Sequence, residues 1–388
     1  MISLGTLLDP ASRQPASCLI EIGDEATDLG DLAALVASVQ IAVSRSEAAT
    51  GSILIEDRRG SDGRWMAADS GLFERWARIK VSADFQTHTE EILRGYIAVQ
   101  KPSYPNNGGE ATIELTLQDD SAALDREHLR TVWGEDGTLT DLEILRELIA
   151  PAGLEAHPES GDGQSSRSLS QDATPIAFLR ERAKANGYEL IFSAGQVYFG
   201  PKRLDGEAQA PIMVYAGSAT SCLSLEIVDD GQSPDTVQFD HAPREEGNAT
   251  TSESVVPDLP ALGTSPAAAE GAGVGTPSVW RVSREGDETE QELRARAQAL
   301  VNDNSFKLRA TGELDGSLYG HVLQVGRMVK VDGPGARYGG LYYVDKVTHV
   351  FSSDGYRQQL ELIRNATGET DAPLGPLSQG LSAIAGLF

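Results

Sequence analysis

Cysteine is nearly absent: Cys18 and Cys222 are the two in 388 residues, far apart and outside any C-x-x-C pair. That excludes a disulfide framework and a zinc site built on thiolates, and leaves two buried free thiols as the expectation. Aromatic residues amount to 6%, and Trp65, Trp76, Trp133 and Trp280 are dispersed, so no aromatic platform for sugars is in view. No apolar run reaches the roughly 18 residues that a membrane-spanning helix needs. The opening MISLGTLLDPASRQ has no basic segment ahead of an apolar core, so no secretory leader is expected and the chain reads as made in a cytoplasm. Positive charge is scarce as well, with 32 Lys and Arg against 58 Asp and Glu and a net charge of −26. Such a surface repels phosphate backbones, and sequence-specific nucleic acid is not an expected partner.

Catalytic signatures are missing too. His88, His128, His157, His241, His321 and His349 are scattered and never take H-E-x-x-H or H-x-x-H spacing, so no helix face offers two imidazoles to zinc. No G-x-S-x-G elbow occurs. Gly271-Ala272-Gly273-Val274-Gly275 lacks the strand and helix that a phosphate loop requires. The carboxylate pairs Asp119-Asp120 and Asp229-Asp230 are sequence neighbours at strand ends. They point to opposite sides and cannot flank a glycosidic bond, so solvated strand ends are expected. Catalytic, cofactor and metal sites are therefore all expected to be absent, and the chain reads as no enzyme.

What is present is globular material, 40% hydrophobic and 23% charged, enough for two to four compact units. The first 120 or so residues alternate apolar and polar side chains, as in Ser38–Ser44, with a turn at Ala49–Ser52 and further strands at Ala77–Ala83, Glu91–Gln100 and Ala111–Gln118. Thr140 and Glu143 form a capping box for a helix striped by Leu142, Leu145, Leu148 and Ile149. Thr174, Pro175 and Gly187 bound a second helix. Tyr188–Phe192 and Val197–Phe199 make a hairpin. Strands resume at Ile212–Tyr215, Ser221–Val228 and Thr236–Asp240. A third helix is predicted from about Asp287, boxed by Glu290, with Leu293, Ala297, Leu300 and Val301 on one face. Strands return at Phe306–Ala310, Arg327–Val331, Leu341–Phe351 and Gly355–Arg364. The step from Val81 to Ile97 equals that from Val331 to Val347, which suggests two related barrels.

The run Trp280–Asn365 resembles the phage late control gene D family of baseplate hub proteins. The likeness lies in the order of Glu288–Asn302, Gly320, Leu323, Gly326, Val329-Lys330-Val331, Gly340–Val344, Val347-Thr348-His349 and Tyr356–Leu362. Leu93–Ile97, the following proline-rich loop and Asp120–Arg126 are similar to the family's first domain and its exit. Phe178-Leu179-Arg180, Gly187-Tyr188-Glu189 and Val197–Pro201 resemble the hub-like part of valine-glycine repeat proteins of type VI secretion.

The resemblance implies a β-rich α+β fold of two tail-tube-like antiparallel β-barrels with a small α/β insert. Residues 1–120 form the first barrel, with strands from 211–241 as candidates to complete it, and 121–210 form the insert. Residues 211–242 return strands to the barrels, 243–279 are an Ala/Gly/Pro/Ser/Thr-rich loop or linker, 280–365 hold a helix and the second barrel, and 366–388 are a tail. The implied function is the baseplate hub of a phage or phage-like contractile tail. It would be a homotrimeric ring joining the sixfold tail tube to the threefold central spike, located in the virion or an equivalent particle. Its partners would be the spike, the tube protein, the tape measure protein and baseplate wedge proteins. The family carries no catalytic residues, and a fused spike or lysozyme module would lie downstream of this chain. In the tail, Leu377, Leu381, Ile384, Leu387 and Phe388 recur at helical spacing and are the candidate partner-binding residues. The contrasting reading is a cell-wall-degrading enzyme (a peptidoglycan hydrolase) on the tail tip, which would need a cleft of converging titratable groups.

Overall fold

The computed structural model describes residues 15–106, 111–134, 139–165, 168–241, 251–269, 274–286 and 288–369. Among them thirteen strands form one sheet. Apart from the short Thr27–Asp28, these are β1 (Ser17–Ile22), β2 (Val36–Ser44), β3 (Thr50–Asp57), β4 (Arg78–Asp84), β5 (Thr89–Ser103), β6 (Ala111–Asp119), β7 (Gln209–Met213), β8 (Cys222–Asp229), β9 (Leu308–Asp315), β10 (Met328–Asp332), β11 (Gly340–Ser352) and β12 (Gly355–Arg364). Alternation sets their faces: in β6, Ala111, Ile113, Leu115 and Leu117 are buried while Thr112, Glu114 and Thr116 lie nearer solvent.

Pairing divides the strands into two sets of one topology. The first runs β1-β4-β5-β6-β3-β2 and the second β7-β10-β11-β12-β9-β8, so the second repeats the first strand for strand. One difference is that β1 is antiparallel to β4, whereas β7 is parallel to β10. Each set wraps its own apolar cluster. Ile41, Ile53, Ile55, Val81, Ile97 and Leu117 fill the first, and Ile212, Val329, Tyr342, Val347, Leu360 and Leu362 the second. These are the two tube-like barrels that the sequence led one to expect.

Two glycines mark the repeat. Gly51 pairs with Ile41 and Leu117, and Gly312 with Leu225 and Leu360. A Cβ on Gly51 would lie 3.2 Å from the Gln40 carbonyl oxygen, and one on Gly312 would lie 2.4 Å from that of Ser224. In both places the residue before the paired one approaches closely, tightly at Gly51 and too closely for a side chain at Gly312. Gly51 therefore sits inside a strand, and not in the turn its composition suggested.

The register also corrects the repeat as read from spacing. Ile97 and Val347 are equivalent, since each faces the partner of its glycine, Leu117 or Leu360. Val81 and Val331 are not, because Val81 faces Leu93 and Val331 faces Gly340. The connection 333–339 is longer than 85–88, which shifts one hairpin against the other.

The segment between the sets holds α1 (Asp141–Ile149) and α2 (Pro175–Asn186), packed on a small sheet of Glu155–Ala156, Glu189–Ser193 and Gln196–Gly200. The Thr140–Glu143 capping box is present. Asp141, at the first position of α1, is buried and bonded twice by Arg182 of α2, at 2.7 and 3.2 Å. A second insertion separates β8 from β9. Thr236–His241 pairs there with Thr251–Val255 and Val279–Val282, and α3 (Glu290–Asn304) lays Leu293, Ala297 and Val301 on Val237, Phe239 and Val255.

Three expectations need correction here. The capping box of α3 is Thr289 with Glu292, two residues beyond the one expected. The strands offered as completing the first barrel join the second: β7 lies on β10 and β8 on β9. Part of the supposed linker 243–279 is packed among its described residues. Val255, Leu262 and Ala267 are buried, and Arg364 donates to the carbonyl oxygens of Leu262, Gly339 and Gly368 at 3.0, 2.9 and 2.6 Å. Asn365 accepts from Leu262 N–H and donates to the Pro260 carbonyl, each at 2.9 Å. Leu262 is thus held both by its buried side chain and by its backbone.

Candidate functional site

The two sets meet strand to strand. β2 of the first lies antiparallel on the far half of β11, from Val39 opposite Phe351 to Ser44 opposite Lys346. The near half of β11 carries β10 on that same edge, from Gly340 to Tyr343, and β12 fills the opposite edge. Ion pairing reinforces the joint. Arg45, just after β2, pairs with Asp345 at the bulge of β11 and with Glu189, 3.4 Å away. Tyr343 donates its hydroxyl to Glu189 at 2.6 Å. Burial, then the Glu189 carboxylate, push the Tyr343 hydroxyl pKa well up, so it stays a donor.

The repeat predicts an equivalent joint that is not made among the described residues of this chain. The counterpart of β2 is β8, and the counterpart of β11 is β5. Among the described residues, the outer edge of β8 and the edge of β5 beyond Ile97 on the β4 side carry no strand. Both display apolar side chains: Val99 is 50% exposed, and Leu223 and Val228 are each 52% exposed. Long apolar edges invite another strand. These two edges are the candidate assembly site.

Titratable groups do gather elsewhere, though not as a glycosidase requires. Asp119 and Asp120 are buried rather than solvated, which corrects the expectation. Asp119 accepts from Ala49 N–H at 2.6 Å and from the Ser121 backbone N–H at 3.1 Å, so its carboxylate closes a turn. Burial raises Asp120 to about 6, opposed by Arg94. The cavity beside them, about 20 Å³, holds roughly one water and no sugar. A larger groove of about 410 Å³, lined by Cys18, Ile20, Leu29, Val36 and Phe351, offers Asp28 as its carboxylate. Burial pushes Cys18 up to about 12 and Cys222 up to about 11, so neither thiol is a nucleophile at neutral pH.

Leu377, Leu381, Ile384, Leu387 and Phe388 lie outside the described residues. Sequence reasoning missed one constellation: His88, Glu90 and His321 bring three potential metal-ligand atoms within 4.8 Å of one another. The two histidines come from different sets, so no local spacing could have announced them.

A family model, the Alg8 N-terminal domain, matches residues 20–353. The chain belongs to the Alg8 N-terminal domain family. No curated protein matches its sequence. This member of the Alg8 N-terminal domain family has the fold of a prophage MuSo2 43 kDa tail protein from Shewanella oneidensis, with a TM-score of 0.66 at 12% identity over 91% of this chain and 99% of that one. A tail protein from Neisseria meningitidis MC58 is similar at a TM-score of 0.63 and 13% identity, over 90% of this chain and 97% of that one. The Escherichia coli c3393 protein follows at a TM-score of 0.51 and 13% identity, over 88% and 77% of the two chains. That protein is described as a component of the type VI secretion system with structural similarity to the T4 bacteriophage tail proteins gp27 and gp5. The late control gene D likeness thus names another family than the one that matches, while the fold it implied is the fold found.

Proposed function

We propose that this chain is the non-enzymatic hub of a phage or phage-like contractile tail, three copies closing a ring between the tail tube and the central spike. The observation that carries the reading is the duplicated six-strand set with one joint made and its counterpart open. Pairing β8 of each chain with the outer half of β5 in the next would repeat the β2–β11 joint around a ring of six sets. Such a ring presents near-sixfold symmetry to a tube and threefold symmetry to a spike, and it covers the free strand edges. The likeness to tail proteins and to late control gene D proteins supports this reading. The buried carboxylates support binding over catalysis, since Asp119 is spent on a turn and Asp120 faces no substrate-sized space. No helix among the described residues is long and apolar enough to cross a membrane.

The equivalence fixes a register that can be tested. Thr348 faces Ala42 in the intact joint. Their counterparts are Val99, which faces Thr116 as Thr348 faces Gln359, and Glu226, which follows Leu225 as Ala42 follows Ile41. Opposed Cα atoms in an antiparallel pair lie about 4.5–5.5 Å apart, within disulfide reach. Val99→Cys with Glu226→Cys, in a Cys222→Ser background, is expected to form covalent trimers on mild oxidation of a chain that sediments as a trimer. A monomer at all concentrations would sink the hub reading. A trimer that resists cross-linking would sink this arrangement of edges.

A further inference from the structure

We propose that His88, Glu90 and His321 form a divalent-cation site of the zinc type that pins the first strand set to the second. His88 stands in the turn from β4 to β5, and Glu90 is the second residue of β5. His321 follows α4 (Gly316–Tyr319) on the path to β10, 231 residues from Glu90. Glu90 Oε1 lies 2.9 Å from His321 Nδ1 and 3.2 Å from His88 Nε2. In a tetrahedral zinc site with bonds of about 2.0–2.1 Å, ligand atoms sit roughly 3.3 Å apart. Both distances from the carboxylate oxygen are thus already near that spacing, all three atoms lie within 4.8 Å of one another, and a fourth corner would be left for water.

Two further observations point to a ligand rather than to a plain hydrogen-bonded cluster. His88 Nε2 is buried and has no hydrogen-bond partner, although it sits beside that carboxylate oxygen. A buried ring nitrogen without a partner is costly, and a cation would satisfy it. Glu90 Oε2 is already engaged by Val322 N–H at 2.6 Å, so Oε1 faces the two imidazoles.

The surroundings hold the three groups in place. The His88 ring stacks on Phe85, with centroids 5.0 Å apart, and its Nδ1 lies 3.0 Å from Thr87 Oγ1. The His321 carbonyl accepts from Gln358 Nε2 at 2.7 Å, and Gln358 Oε1 accepts from Leu323 N–H at 2.8 Å. Gln358 is fully buried in β12, so the loop bearing His321 is tied to the second set at His321 and again at Leu323. The Thr87 contact to the other ring nitrogen of His88 is the kind of outer-shell bond that orients a metal-binding imidazole. All three ligands come from one chain, so the site does not depend on the trimer, and its test stands apart from that of the ring.

The test uses the untagged full chain, stripped of metal by chelator, with Zn²⁺ titrated by calorimetry and Co²⁺ followed by its visible absorption. One ion per chain and a thermal midpoint that climbs with Zn²⁺ concentration are expected. His88→Gln and His321→Gln should each weaken binding by more than the roughly 10–100-fold that an outer-shell loss costs. His128→Gln, an exposed histidine bonded to Asp172, should leave binding unchanged. Glu90→Gln keeps the shape and removes the charge, and circular dichroism checks that each variant folds. Absence of saturable Zn²⁺ binding, or binding undiminished in folded His88→Gln and His321→Gln chains, would overturn the site.

Discussion

His349 shows what burial does to one side chain. It is 2% exposed within β11, its Nδ1 lies 2.8 Å from the Tyr356 hydroxyl, and burial pushes its pKa down to about 3. The unfolded chain takes up that proton near pH 6.5. A depressed histidine thus contributes stability that is complete above about pH 6.5 and is lost as pH falls toward 3. Unfolding by denaturant at pH 7 and pH 5 should show about 2 kcal/mol lost from this group, and His349→Gln should flatten that part of the profile. An unchanged profile would mean that other groups govern acid sensitivity. Asp120, raised to about 6, acts the opposite way, its contribution fading as pH rises toward 6. Neither effect was legible in the sequence, where His349 was one scattered histidine and Asp120 one half of a solvated pair. Burial is a property of the neighbours, not of the residue.

At the scale of elements, the two glycines carry a graded test. Alanine usually stabilises a strand glycine by removing unfolded-state freedom. At Gly312 the new Cβ would meet a backbone oxygen at 2.4 Å, so β8 must move off β9. At Gly51 the nearest atoms are at 3.1 to 3.3 Å, and two of the three belong to movable side chains. Gly312→Ala should therefore cost about 1–3 kcal/mol and Gly51→Ala less, read as shifts in denaturant midpoint. Equal costs would mean that the close approach at β8 relaxes freely. Helices were legible where their signals are local: the Thr140–Glu143 box and the Pro175 and Gly187 boundaries need only a few residues in sequence. The packed part of 251–269 was not, because its anchors, Arg364 and Asn365, lie about a hundred residues onward. Composition described its side chains and missed its bound backbone.

For the whole molecule, the net charge of −26 opposes association of like chains. Raising salt from about 0.01 to 0.15 M shortens the screening length from about 30 to 8 Å. If strand pairing and apolar contact hold the ring, sedimentation should show the trimer tightening over that range. A trimer that loosens would assign the interface to ion pairs. The strands, the capped helices and the tube-like fold were legible because alternation, caps and turns are written within a few residues of one another. The likeness in motif order added that two barrels were to be expected. Only the tertiary structure decided which strands belong to which set, where the repeat falls in register, and which edges stay open. It alone also brought His88 and His321 to one carboxylate. Each of those facts is set by pairing between segments far apart in the chain, and strand pairing has no local signature beyond the alternation that every strand shares.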